Sequence, residues 1–550
     1  MRAEGRRFLK NGVCLALAAL LMRTVSVSFG AYVSERIGAS GMGLYSLIMS
    51  VYTLAVTFAT SGVQLATTRL VSEALGRGDA GGARAALRLA VRYALSCGTL
   101  AAVILFLGAP FFGGVILSDT RTIPSLRLLA VALVPIALSS VFSGYFTAVR
   151  RPSRAAGISV LEQAIRILLT VYLLTALLPA GLTYACLALV GGSAIAEILS
   201  AAFLGVLYLF DRKSIAKCGG KKLPVRSFLY ITAPVAASSY IRSGLVSAEH
   251  ILIPRALARG GQGREEALAS YGTLSGMSLT VALYPMAVLS AFAGLLVPEF
   301  AERAANGKAE ENRRLCERTL TLALWFGLGI GGLLAAFAVP LAEAIYESRE
   351  AGFYLALLAP IIPVMYLDHV TDVMLKGLGR QVYAMGVNIL DSMGSILLVL
   401  LLLPRYGAAG YVLVIAIAEI FNFALSLSGL YRVLFFRFPL CHAVLFPMAA
   451  VLTAVTLVRR FLTISGILGL ILSLLLAAAL YLLILFLLLR ADAVKKKKAP
   501  LLDTGASFGY NSCIYGRLQG EKGEKNGKLL LYGAPSASVG GGGRPPDCPA

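Results

Sequence analysis

Charge is scarce in this chain. Only 14% of its 550 residues are Asp, Glu, Lys or Arg, against about 25% in soluble domains. Apolar residues reach 58% and the mean hydropathy is +0.80, a balance that argues against a water-soluble enzyme. No long polar stretch separates the apolar blocks before residue 490, so nothing marks off soluble domains. The eight cysteines (Cys14, Cys97, Cys186, Cys218, Cys316, Cys441, Cys513 and Cys548) stand singly, with no CxxC and no metal-ligand spacing. Neither a disulfide framework nor a zinc site follows from them.

Catalytic signatures are missing as well. Three histidines are few for acid–base chemistry. There is no G-x-x-x-x-G-K-[ST] to let ATP drive the protein directly, and no H-E-x-x-H. The longest outer loop, around 254–270, is too short to cover an active site. Neither enzymatic activity nor a cofactor is expected.

What is present is a succession of apolar runs. A helical span needs about 20 apolar residues, and the sequence predicts fourteen: 11–34, 43–67, 89–117, 125–149, 157–178, 182–210, 227–253, 271–298, 319–345, 352–375, 382–403, 408–431, 440–458 and 463–489. The runs are long, unalternating and rich in Leu and Ala, so strands are not expected. The basic start, Met1 to Lys10, imitates a signal peptide. Arg23 then interrupts the apolar stretch and no A-x-A-like cleavage site follows, which makes it an uncleaved first helix.

The 50 basic residues outnumber the 28 acidic ones, giving a net charge of +22. In a soluble protein this excess would point to nucleic acid. Here the basic residues sit between apolar runs. With the N-terminus inside, the inner loops hold about three times the Lys and Arg of the outer loops, a strong orientation signal. Both termini are expected in the cytoplasm, with the chain crossing the membrane many times. Lys495–Lys498 lies at the membrane edge, either as a stop-transfer anchor or as a sensor of anionic lipids. The Gly/Ser/Pro-rich remainder of 491–550 reads as a disordered cytoplasmic tail.

A duplication is visible in the sequence. Ala194-Ile195-Ala196-Glu197-Ile198 recurs as Ala416-Ile417-Ala418-Glu419-Ile420, an offset of 222. Arg23 and Arg36 recur as Arg242 and Arg255 at 219. Glu73, Gly78 and Arg84 match Glu302, Gly307 and Arg313 at 229, and Arg151, Gly157 and Glu162 match Arg380, Gly386 and Asp391 at the same offset. Helix n pairs with helix n+6, which preserves orientation and implies a parallel repeat. The expected organisation is an N-terminal segment 1–10, an N-lobe 11–212, an inter-lobe loop 213–226, a C-lobe 227–432, two extra helices within 440–490 and the tail. The fold class is an all-α polytopic membrane protein with two six-helix lobes.

Buried charge is costly in hydrocarbon, roughly 2.5–3.5 kcal/mol per Arg or Asp at a helix centre, so the intramembrane charges are the informative residues. Arg23 lies about 18 Å into the first helix, on a stripe with Ala16, Ala19, Ser26 and Gly30 that suits a water-filled cavity. Ser238, Ser239, Arg242 and Glu249 share a face of the seventh. Two equivalent arginines can form a clamp for phosphate or pyrophosphate. Alternatively each pairs with an acid, Glu249 in the case of Arg242, and holds helices together. Arg36 and Arg255 sit at outer helix ends, where they either guide an anion or snorkel, as Arg92 does near Arg88 at the inner side. Glu162 and Arg166, four apart, are expected to pair. Asp368, Asp372 and Lys376 form a ladder beside His369, read either as a Na⁺ or H⁺ coupling site or as a salt-bridged helix end. Glu197 and Glu419 are coupling candidates by symmetry, or hydrogen-bond neighbouring helices. His250 and His442 have no partner pattern and read as structural.

The run Gly38-Ala39-Ser40-Gly41-Met42-Gly43-Leu44-Tyr45-Ser46-Leu47, followed by Ser61-Gly62-Val63-Gln64-Leu65-Ala66 and Arg69-Leu70-Val71-Ser72-Glu73, resembles the stage V sporulation protein B and polysaccharide-exporter family. That family shares a superfamily with the MurJ-type lipid II flippases and the multidrug/Na⁺ antiporters. The resemblance implies two six-helix lobes around a cavity with alternating access, and a polyprenyl-pyrophosphate-linked sugar as substrate. By position, Arg23 and Arg242 would hold the pyrophosphate, with Ser26 and Gln64 as further cavity candidates. Helices 13 and 14 would line a groove for the prenyl tail. One departure is that helix 8, which carries the best-known second-lobe arginine in the relatives, has no basic residue here. The implied function is flipping of a lipid-linked oligosaccharide or a peptidoglycan or spore-cortex precursor. The alternatives are a cation-coupled exporter of organic cations and a membrane-embedded polymerase, which would need catalytic outer loops.

Overall fold

The computed structural model describes residues 2–77, 79–149, 151–211, 225–436, 441–461 and 466–498. Most of the predicted inter-lobe loop, Gly78 and the tail beyond Lys498 lie outside the described residues. So do the side chains of Ala16, Ala19, His442 and Lys495–Lys498. Among the described residues every regular element is helical. The chain divides at Leu485: Met1–Leu485 packs as one unit, and a second begins at Phe486.

In order, the helices are α1 (Arg2–Thr60), α2 (Val63–Gly76), α3 (Ala80–Pro110), α4 (Ile123–Ala148), α5 (Pro152–Leu177), α6 (Leu182–Asp211), α7 (Val225–Arg259), α8 (Arg264–Tyr271), α9 (Leu279–Ala282) and α10 (Met286–Ala305). They continue as α11 (Ala309–Tyr346), α12 (Arg349–Leu358), α13 (Ile362–Gly377), α14 (Gln381–Leu434), α15 (Phe446–Phe461) and α16 (Ile467–Lys498). Nine of the described helices are long and apolar enough to cross a membrane, or up to eleven if each of two bent pairs is one span. Fourteen separate spans were expected. Two reasons for the lower number are visible. First, α1 and α14 each run through two predicted spans without a loop, turning instead at single glycines. Gly38 has φ 70° and Gly407 has φ 60°, a left-handed backbone that a Cβ disfavours. Second, α7 is not among the nine, since its serines, Arg242, Glu249 and Arg255 dilute its apolar character.

The predicted spans 271–298 and 352–375 are broken. The first bends by 52° between Ala282 and Met286, where Pro285 supplies no N–H, and the second by 60° between Leu358 and Ile362, beside Pro360 and Pro363. A π-helical turn, Gly272–Ser278, leads into the first break. The first of these broken spans matters because its Tyr271 and Ser275 border a polar cavity, where freed backbone groups can be re-satisfied. α15 and α16 pack on α11: Leu333 and Phe337 meet Val458 and Ala477 in one buried cluster. The Tyr481 hydroxyl donates to the Trp325 carbonyl at 2.7 Å.

Candidate functional site

The principal polar cavity, of about 590 Å³, lies between the second half of α1, α7 and the Tyr271–Ser275 turn. Its α1 wall consists of Ser46, Ser50, Thr53 and Thr57 with Met49. Intervals of four, three and four place those hydroxyls on one helical face. The α7 wall repeats the device with Ser239, Arg242, Ser243, Ser247 and His250. Two bonds staple the walls together: Ser247 Oγ donates to the Ser50 carbonyl at 2.8 Å, and Tyr240 Oη to the Phe58 carbonyl at 3.2 Å.

Arg242 is the cation of this cavity. No hydrogen bond or ion pair engages its guanidinium among the described residues, and the expected alternative, a pair with Glu249, is not formed. The adjacent Ser239 and Ser243 hydroxyls are likewise without hydrogen bonds among the described residues. A planar guanidinium flanked by two hydroxyl donors one turn apart is the donor set that phosphate oxygens accept from. Further along α7, His250 also lines the cavity, and its Nδ1 lies 2.9 Å from Tyr271 Oη. The serine and threonine stripe on residues 46–57 was missed in the sequence, although its spacing of four, three and four is the signal that could have found it. That α1 and α7 turn these stripes toward each other was not visible there.

Arg23 is placed differently. It is absent from the lining of this cavity. Its Nε is buried without a hydrogen-bond partner, as is the hydroxyl of Tyr346, which lies within electrostatic reach at the end of α11. Ser26 Oγ donates to the Met22 carbonyl at 3.0 Å and receives Gln163 Nε2 at 3.4 Å. A Cβ on Gly30 would meet open space. Gln64 follows the break at Ser61–Gly62, is exposed, and lies outside the cavity lining.

The acids divide into two unlike groups. Glu197 and Glu162 share Arg166 at 3.1 and 2.5 Å, so the expected Glu162–Arg166 pair forms and takes Glu197 with it. In the second half, Asp368 accepts from Asn422 Nδ2 at 3.0 Å and its other oxygen is buried and unpaired. Asp391 Oδ1 and the carbonyl oxygen of the buried Asn422 are also unpaired. Glu419 lies within electrostatic reach of Asp368 and Asp391, and Arg242 within reach of both aspartates. At the offset that carries Glu162 onto Asp391, Arg166 falls on Ser395, so this half has no equivalent cation. Asp391, which appeared in the sequence only as a repeat position, joins the site here. Asp372 bonds Lys376 at 2.5 Å as a helix-end pair, and His369 Nε2 lies 3.0 Å from Ser290 Oγ.

The end of the molecule predicted to face outward is shut. Gly43 and Gly272 bring the turn after Gly38 against α8 so closely that a methyl group on Gly43 would strike the Leu268 carbonyl, and one on Gly272 the Ala39 carbonyl. Arg255 donates to the Val115 carbonyl at 2.7 Å, to the Ile116 carbonyl and to Ser118 Oγ at 3.1 Å. Arg255 is thus a tie across the closed end. Arg36 instead stacks over Tyr32, 5.4 Å from its ring centre. Asp119 bonds Arg121 at 2.7 Å and draws Arg264 to 3.7 Å, while Arg121 reaches Glu265 at 3.7 Å.

Burial by itself raises the Asp119 carboxyl, but the Arg121 side chain and N–H, with Arg264 beyond, outweigh it and hold the group below the ordinary aspartate value. A depressed carboxyl stabilises the fold above its unfolded value, about 3.9, and that contribution is lost as pH falls through the folded value. The tie is therefore expected to hold constant from neutral pH down to about 4 and to fail only below. Thermal unfolding against pH checks this, with Asp119→Asn removing that acid-sensitive component.

Residues 8–304 match the model of a protein family described as "Polysaccharide biosynthesis protein". The chain belongs to this family. It is 25% identical over 416 residues to "Stage V sporulation protein B" of Bacillus subtilis (strain 168), covering 74% of this chain and 80% of that protein. To "Lipid II flippase MurJ" of the same strain it is 23% identical over 450 residues, covering 75% and 80%. Among solved structures, an inward closed conformation of lipid II flippase MurJ matches with a TM-score of 0.68 at 14% identity, covering 88% of this chain and all (100%) of that one. An inward-facing multidrug resistance MATE family transporter of the MOP superfamily matches at 0.60 and 14%, covering 76% and 98%. The family member described here is an all-helical, multi-pass membrane protein with the fold of these transporters.

Proposed function

We propose that this protein is a flippase that carries a lipid-linked oligosaccharide, or a peptidoglycan or spore-cortex precursor, across the cytoplasmic membrane by alternating access. The observation that carries the reading is the hydroxyl-lined cavity with an Arg242 that makes no hydrogen bond or ion pair among the described residues, shut at one end by the Gly43–Gly272 contact. With both termini in the cytoplasm, the shut end faces outward and the cavity opens to the side where such precursors are made. The pyrophosphate would sit on Arg242 with Ser239 and Ser243, the sugar against the α1 hydroxyls, and the prenyl tail in lipid. Arg23 supplies a second cation on the equivalent helix of the first lobe, available as the lobes rock. The names of the relatives support the substrate class. The test is flipping of a fluorescent lipid-pyrophosphate oligosaccharide by the purified protein in proteoliposomes, where no transport by a folded wild type refutes the reading.

The unpaired acids of the second half favour one addition. Asp368 and Asp391 lie within electrostatic reach of Arg242, and Glu419 within reach of both aspartates. The three lack a counterpart of the arginine that pairs with Glu162 and Glu197, so an H⁺ or Na⁺ arriving there would change the charge that Arg242 presents to its anion. Glu419→Gln is expected to abolish stimulation of flipping by an imposed ion gradient, whereas Glu197→Gln retains it. Equal loss in both variants would remove the distinction. The same acids favour, as a second reading, a cation-coupled exporter of organic cations. Uptake of a fluorescent organic cation by the same proteoliposomes, without lipid flipping, would establish it instead.

A further inference from the structure

A second crevice lies away from the transport cavity, on the flank of the first half. It has a volume of about 430 Å³ and is formed by Leu87, Arg88, Val91 and Arg92 of α3, Phe142 of α4, and Gly205, Tyr208 and Leu209 of α6. Arg88 and Arg92 are four residues apart and so stand on one face, where like charges repel. Neither guanidinium has a hydrogen bond or an ion pair among the described residues, and no acid lines the crevice. Asp211, at the end of α6, already accepts from Arg151 and Arg154 at 2.8 Å each and from Tyr145 Oη at 3.0 Å. The two arginines therefore form an anion-binding pair for which the described protein supplies no counter-charge.

The rest of the crevice is apolar and shaped. Phe142 and Tyr208 stack at 5.4 Å to make its floor, and Tyr145 braces Tyr208 edge-on at 5.1 Å. Gly205 keeps it open: a Cβ there would lie 3.6 Å from the Phe142 ring, so a larger side chain would occupy the space. The surrounding surface of α6 is hydrocarbon-like, with Val206 48% and Phe210 68% exposed. A cationic pair at one end of an apolar slot that opens on a lipid-facing surface has the polarity of a phospholipid.

We infer that this crevice binds one anionic phospholipid, its headgroup phosphate held between Arg88 and Arg92 and an acyl chain lying along Val91, Phe142 and Leu209. Charge complementarity selects the headgroup, and the slot kept open by Gly205 selects a lipid over a free phosphate. The predicted orientation places the arginines at the cytoplasmic surface, where anionic lipid headgroups attract basic residues. The bound lipid would bridge α3 to α6 at the level of the Asp211 cluster.

The experiment uses the full-length protein in detergent and follows phosphatidylglycerol binding by native mass spectrometry and by thermal protection, with phosphatidylcholine and inorganic phosphate as comparison probes. Wild type is expected to retain one phosphatidylglycerol and to be protected by it, but not by phosphatidylcholine or phosphate. Arg88→Gln/Arg92→Gln should weaken that binding about tenfold or more, as loss of charge-assisted bonds to a phosphate does. Gly205→Leu, which fills the slot and keeps both charges, should do the same, while Arg69→Gln/Arg77→Gln, at exposed arginines elsewhere, should not. Unchanged phosphatidylglycerol retention in the Arg88/Arg92 double variant overturns the site. Equal protection by inorganic phosphate overturns the lipid assignment.

Discussion

Arg242→Ala is expected to lower flipping of a lipid-pyrophosphate oligosaccharide at least about thirtyfold, with expression and thermal stability unchanged. Truncating one member of a desolvated, hydrogen-bonded charge pair costs about 2–5 kcal/mol, and about 1.4 kcal/mol is tenfold. Arg242 has no ion pair or hydrogen bond among the described residues, so its removal breaks no such contact there and the loss falls on the substrate. Arg242→Lys keeps the charge but not the planar fork, and an intermediate rate is expected. Arg23→Ala, in the same assay, separates two arrangements. A loss as large as that of Arg242→Ala means both arginines meet the pyrophosphate during the cycle. A wild-type rate means that Arg23 serves the α1–α11 packing around Tyr346. A wild-type rate for Arg242→Ala would refute the anion site itself.

Gly43→Leu is expected to open the outer end. The new side chain meets the Leu268 backbone carbonyl, which cannot rotate away, and overpacking of this kind costs about 1–3 kcal/mol. Because the cost falls only on the closed arrangement, it becomes a shift of roughly 5- to 150-fold toward the open one. A cysteine placed at Ser50, in the cavity wall, reads this out through a membrane-impermeant maleimide applied from outside. Labelling should be slow in the Ser50→Cys parent and faster by that factor when Gly43→Leu is added. Arg255→Gln, which loosens the tie to Val115 and Ile116 without adding bulk, should shift labelling in the same direction by less. No change in either background would mean that the glycine contact does not govern access.

The legible part of the site was the part confined to single helices. Spacing alone put Ser238, Ser239, Arg242 and Glu249 on one face of α7 and paired Glu162 with Arg166, because residues three and four apart meet on any helix. It placed Glu197 and Glu419 in equivalent positions but could not tell them apart. Only the fold brings Arg166 to Glu197 and leaves Asp368 and Asp391 with unpaired oxygens. His250 looked structural because its partner, Tyr271, lies on another element. Arg255 looked like an interfacial arginine because its partners, Val115 and Ile116, are about 140 residues away in the chain. Broken helices were missed since hydropathy windows average across a proline or glycine and report a continuous run.

By itself the sequence determined the class of protein. Scarce charge, long apolar runs and basic inner loops leave a bundle of membrane helices as the only arrangement in which every backbone group is satisfied. It also determined which residues carry charge into that bundle. The tertiary structure alone decided which charges are compensated, which helix faces enclose the cavity and which end is shut. Compensation depends on distances of a few ångströms between separate helices, and helical periodicity constrains only the face of the helix on which a residue stands.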